Sequence, residues 1–231
     1  IKKINFKHSF IFFLFCNIIS LPFIKTYNLN ISPLVCLVLI LIIGVSHGSL
    51  DHIKGKKLLK IFQINNIVIF YIFYFLLALT VIILWILLPT VILLTFLIVA
   101  SFHFGKEDTQ FLIGDNSYLN QFLFFLKGSL VIIAPLYFNF NETVAIFKLL
   151  LIDNESFYQS LNIIENNNFF IIGIALSTLS SIYLFFQKFE LKKFTIFFDY
   201  FSIIIINIYF SPLVAFTIYF CFLHSIRHSI S

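Results

Sequence analysis

Apolar residues fall in eight runs, 9–24, 31–49, 64–88, 90–105, 118–138, 168–187, 194–210 and 212–228. An apolar run of about 18 residues or more with few charges reads as a membrane span. Inside hydrocarbon a helix is the simplest way to satisfy every backbone N–H and C=O. The breaks carry helix stoppers: Pro22, then Lys25 to Pro33, Pro89, and Ser211-Pro212. Proline disfavours helix in the residue before it, so these breaks suit hairpins between spans. Several runs fall short of the roughly 20 residues that cross a core of about 30 Å, and read as tilted, broken or lining a cavity. Composition agrees, since 61% of the chain is hydrophobic and 11% charged, against about 45–50% and about 25% in soluble domains. The expected fold is all-α: a polytopic integral membrane bundle of about eight spans, one transmembrane domain over 1–231. The chain holds no Met and stops directly after a polar cluster, so it reads as a piece of a longer protein.

Lysine and arginine set the orientation. With the N-terminus in the cytoplasm, the inner loops hold Lys2, Lys3, Lys7, the four lysines of 54–60, Lys106, Lys188, Lys192, Lys193 and Arg227. The outer loops hold Lys25 and Lys148, and Lys127 lies within a span. That asymmetry is a positive-inside bias that supports this orientation and the span count, and the expected location is the cell (inner) membrane. It also explains the net charge of +5 without nucleic acid as a partner. Segment 139–167 is polar and reads as an outer loop, with 147–152 along the interface. Cys16, Cys36 and Cys221 sit in apolar runs with no CxxC spacing and read as small hydrophobes.

His8 lies beside lysines and reads as a solvated flank. The other five histidines form three clusters: His47-Gly-Ser-Leu-Asp51-His52, His103-Phe-Gly-Lys-Glu107-Asp108 and His224-Ser-Ile-Arg227-His228. They end the second, fourth and eighth runs, so span parity carries all three to the cytoplasmic boundary. The lysine count did not use them. Ionisable groups at membrane depth are costly and mark function, and three clusters on one side point to a shared metal site. Imidazoles suit Zn, Cu, Fe or Ni. His224 and His228 are four apart and share a helix face. Asp51 and Glu107 stand four residues after His47 and His103, where a carboxylate can take the second ring N–H and fix its tautomer. His52 points about 140° away from His47 on a helix of 3.6 residues per turn. Gly48 and Gly105 leave room for a close helix or a bulky substrate.

At these clusters the chain resembles the Brp/Blh family, the bacterial and archaeal membrane-bound β-carotene 15,15′-dioxygenases. The matching motifs are His47-Gly-x-x-Asp51-His52, Phe102-His103-Phe-Gly105-x-Glu107-Asp108 and His224-Ser-x-Arg227-His228, in order, from about residue 30 onward. The resemblance implies an oxidoreductase that uses Fe(2+) and O2 to cleave the central double bond of β-carotene into two retinal molecules. It carries the iron ligands onto His47, His103, His224 and His228, and retinal typically serves a retinal-binding rhodopsin. Asp51, His52, Glu107, Asp108 and Arg227 are then candidates to orient the ligands, with Arg227 paired to one of the acids. Phe102, Phe104, Tyr219 and Phe220 are candidate walls for the hydrocarbon.

Three rival readings differ in what they require. A di-iron desaturase or hydroxylase needs about eight histidines in HxxxH and HxxHH boxes, more than are present. A bis-histidine haem protein would leave His224 and His228 unexplained. A transporter predicts broken helices and charges near the midplane.

Overall fold

The computed structural model describes residues 1–21, 31–48, 51–64, 66–115, 117–150 and 152–230; for 44–48, 51–54 and 230 only the backbone is described. Among the described residues there is no strand. The helices are α1 (Lys2–Ser20), α2 (Pro33–Gly48), α3 (Asp51–Ile61), α4 (Ile67–Leu87), α5 (Pro89–Glu107), α6 (Tyr118–Gly128), α7 (Leu130–Phe138), α8 (Phe140–Leu149), α9 (Glu155–Asn166), α10 (Phe169–Phe186), α11 (Phe194–Tyr209), α12 (Pro212–Ile218) and α13 (Ser225–Ile230). Each of the eight apolar runs is helical over most of its described residues. Among the described residues, four helices are long and apolar enough to cross a membrane: Ile67–Leu87, Pro89–Glu107, Tyr118–Phe138 and Phe169–Phe186.

Burial is inverted relative to a soluble protein. α4 has no buried residue, although nearly all of its side chains are apolar. The interior instead takes Asn5, Ser9, Ser101, Lys127, Ser177, Ser181, Asp199, Ser202 and Arg227. Water would drive α4 inward, whereas lipid does not, because acyl chains are as apolar as leucine. Polar groups cannot face acyl chains without partners, so they turn to one another. This is the packing of a membrane protein.

Helices α5 and α6 cross at close range. A Cβ added at Gly105 would run into the carbonyl of Phe124, and one at Gly128 into the carbonyl of Ser101. Ser101 and Gly105 lie one turn apart on α5, and only small residues there let two backbones approach so nearly. Gly105 thus serves helix contact, and it anchors the turn of α5 that carries His103.

One expectation is corrected. Segment 139–167 is not an open loop, because Phe140–Leu149 and Glu155–Asn166 are helices. Asn154 caps α9 by accepting the backbone N–H of Phe157 at 3.0 Å. The polar composition hid an amphipathic pattern: Phe147, Ile152 and Leu161 bury themselves with Leu93, Leu136 and Phe170. The last run is one of the short ones and is broken. After α12 the residues Tyr219–His224 form a π-helical turn, and α13 follows directly. Such widened turns are rare and occur often at functional sites.

Candidate metal centre

The π-turn decides which side chains meet. Tyr219 and His224 are five residues apart and would point about 140° apart on an α-helix. In the widened turn both reach one acid. The Tyr219 hydroxyl donates to Asp108 Oδ2 at 2.6 Å, and His224 Nδ1 meets Asp108 Oδ1 at 3.1 Å. The two rings lie 6.0 Å apart, nearly parallel. His224 is also edge-on to His103, with centroids at 5.2 Å, and to Phe104 at 4.8 Å. Phe220 stacks on it at 6.0 Å. His228 Nδ1 lies 3.3 Å from Glu107 Oε2. His103 is within electrostatic reach of Glu107, Asp108 and His228 as well as His224.

Spacing along one helix assigned Glu107 to His103. In the structure Glu107 and Asp108, at the end of α5, each take Nδ1 of a histidine from the final segment. The pairing runs across helices, where sequence spacing is blind. A carboxylate on Nδ1 leaves the Nε2 edge as the one that can ligate, the arrangement found around histidine metal ligands.

Beneath His224 lies a buried charge cluster. Arg227 is 1% exposed and forks onto Asp199, with Nη1 at 2.8 Å from Oδ2 and Nη2 at 3.0 Å from Oδ1. Such bidentate geometry is the strongest form of the pair. Arg227 Nη1 also donates to the Asp108 carbonyl at 3.2 Å and stands 3.4 Å from its Oδ1. Arg227 Nη2 donates to Ser9 Oγ at 2.6 Å, and the guanidinium lies over the Phe111 ring. Lys127, also buried, is within electrostatic reach of both acids. Two buried acids, Asp108 and Asp199, thus face the Arg227 guanidinium and the Lys127 side chain. Burial alone would push the Asp108 carboxyl up, but His224 and the Arg227 guanidinium outweigh it and hold it below the usual carboxylate range.

Asp199 and Ser9 were missed in the sequence. Asp199 is the lone acid in the apolar run 194–210, and that isolation was the available signal. Ser9 carried none. His8 is not a solvated flank: it is half-buried, and its Nε2–H donates to the Phe222 carbonyl at 2.8 Å. Of the four proposed wall residues, Phe104 and Phe220 contact His224, Tyr219 is committed to Asp108, and Phe102 carries the Lys106 ammonium over its ring at 5.4 Å. The side chains of His47, Asp51, His52 and Gly48's surroundings lie outside the described residues. The helix that carries His47, α2, packs against α12, the π-turn and α13.

Among the described residues, no three of His, Cys, Asp and Glu form a closed metal-binding group. The donor chemistry nonetheless fits a histidine-bound metal: two rings in contact, a third within electrostatic range, and carboxylates on Nδ1 of two of them.

No solved structure matches the chain. It is similar to the β-carotene 15,15′-dioxygenase of an uncultured marine bacterium 66A03, 29% identical over 196 residues. That match covers 83% of this chain and 66% of the relative's length. The family model described as β-carotene 15,15′-dioxygenase matches residues 38–231, which include all three histidine clusters, and the chain belongs to that family.

Proposed function

We propose that this protein cleaves the central 15,15′ double bond of β-carotene with O2 to give two molecules of retinal, in an inner cell membrane that it crosses about eight times. The observation that carries the reading is the contact of His103 with His224, whose Nδ1 rests on buried Asp108, in a chain of this family. The metal would be Fe(2+), held by His47, His103, His224 and His228 at the cytoplasmic ends of three spans. Bound iron would supply the activation of O2.

The remaining residues have roles that follow from their contacts. Asp108 and Glu107 orient His224 and His228 by accepting from Nδ1. Arg227 holds Asp108 through its carbonyl and holds α13 against α11 through Asp199. Phe104 and Phe220, against His224, offer apolar surface to a polyene. The substrate dissolves in the bilayer and can enter between helices without crossing water. The C15–C15′ double bond and the O–O bond break, two C=O bonds form, and both oxygen atoms leave in the aldehydes. No proton is consumed. That stoichiometry suits a site whose Asp108 is already engaged by Tyr219, His224 and Arg227 rather than set as a general base. Retinal is released into the same membrane, where a retinal-binding rhodopsin can take it.

Expression in cells that accumulate β-carotene tests the reading. The expected result is loss of orange colour with retinal in the extract. Persistent colour with no retinal on extraction would overturn it.

A further inference from the structure

We propose that His8 and Ser9 of α1 are positioning residues for the metal centre, clamping the π-turn and α13 from outside the family-matched region. This inference rests on the function proposed above. The family match begins at residue 38, so nothing in it assigns a role to α1 (Lys2–Ser20).

The two side chains bracket His224. His8 Nε2–H donates to the carbonyl of Phe222, two residues before it, at 2.8 Å. A carbonyl only accepts, so this nitrogen carries the proton. Ser9 Oγ accepts from Arg227 Nη2, three residues after His224, at 2.6 Å. A π-turn is rare and occurs mostly as a single turn, often at functional sites. It is also what lets Tyr219 and His224 share Asp108. The chain of contacts is short: Ser9 to Arg227, Arg227 to Asp108, Asp108 to His224.

The clamp is separate from what anchors α1. Phe6, Phe10 and Phe13 pack on Phe198 of α11 at 6.0, 5.4 and 5.5 Å between centroids. Phe15 meets Phe222 at 6.2 Å. Removing the hydrogen bonds of His8 and Ser9 leaves that aromatic seam in place. Substitutions there therefore act on the geometry of the π-turn before they act on the fold.

The test uses the purified full chain in detergent with Co(2+) as the probe, read by its visible absorption, beside retinal turnover and the thermal midpoint. His8→Leu/Ser9→Ala should keep the thermal midpoint. It should bind Co(2+) about tenfold more weakly, the lower end of what loss of residues supporting metal ligands costs, and shift the Co(2+) spectrum. Turnover should fall in kcat with KM unchanged, the pattern of a change at the metal centre rather than in substrate binding. His8→Gln/Ser9→Thr restores a donor and a hydroxyl and should recover the wild-type spectrum and affinity. Wild-type Co(2+) affinity and spectrum in the Leu/Ala protein would overturn the proposal. So would losses that track the thermal midpoint and are not recovered by Gln/Thr. If the unsubstituted chain makes no retinal, the dioxygenase reading fails, and the Co(2+) titration still decides the clamp.

Discussion

Helix α4 and the final segment, residues 212–230, are both apolar on paper, yet they are opposite in the structure. α4 buries nothing over 21 residues. The final segment buries Tyr219, Cys221, Leu223, His224, Ser225 and Arg227. Hydrophobicity alone ranks α4 as the better span. The difference teaches that in lipid the interior is chosen by polar groups seeking partners, not by apolar groups leaving solvent. The residues that matter for chemistry are the ones hydropathy penalises.

That contrast can be broken or sharpened by substitution. The largest effect is expected at the charge cluster. Arg227→Leu strands Asp199 in the interior, and loss of one partner of a buried pair costs about 3–5 kcal/mol. The expected outcome is a steep fall in folded yield and thermal midpoint in detergent. Arg227→Leu/Asp199→Leu, which removes both charges, should recover much of the stability while retinal formation stays low. Next is the α5–α6 crossing. Gly128→Val must push α6 away from Ser101, at about 3 kcal/mol for overpacking, measured as the thermal midpoint, and should displace His103 with it.

Asp108→Asn comes third. The side chain keeps its size but loses the charge that faces His224, Tyr219 and Arg227. Metal affinity should fall about 10- to 100-fold, measured by titration of the purified chain, with a smaller change in thermal midpoint than Arg227→Leu. The smallest effect is predicted on α4. Phe73→Leu and Ile82→Leu lie at exposed positions and should stay within about 0.5 kcal/mol. A large loss from either would show that α4 is packed rather than lipid-facing.

Much of this was legible in the amino-acid sequence, and what was not has a physical reason. Apolar runs and proline breaks mark helices because a helix satisfies its own backbone in lipid, and each run is mostly helical where described. His103, His224 and His228 stood out because imidazoles at span ends are costly. The pairing of Glu107 and Asp108 with the last segment was hidden, since spacing reports neighbours along one helix and these partners lie on two. The π-turn was hidden because it changes hydrogen bonding without changing the hydropathy pattern. Asp199 was visible as a lone acid among Phe and Ile but had no partner in view until Arg227 folded against it. His8 looked solvated because Lys7 is its neighbour; a helix turns consecutive residues about 100° apart, and His8 faces inward. The 139–167 segment looked like a loop because asparagines cap helices as readily as they fill turns.

The central claim is that the histidines of the final segment hold a catalytic iron. It is tested most directly by iron content per chain in the purified wild-type protein and in His224→Ala/His228→Ala, each still folded by thermal midpoint. Iron bound to the wild type and lost in the double variant, together with retinal formation, is the predicted result. Equal iron in both proteins would contradict it.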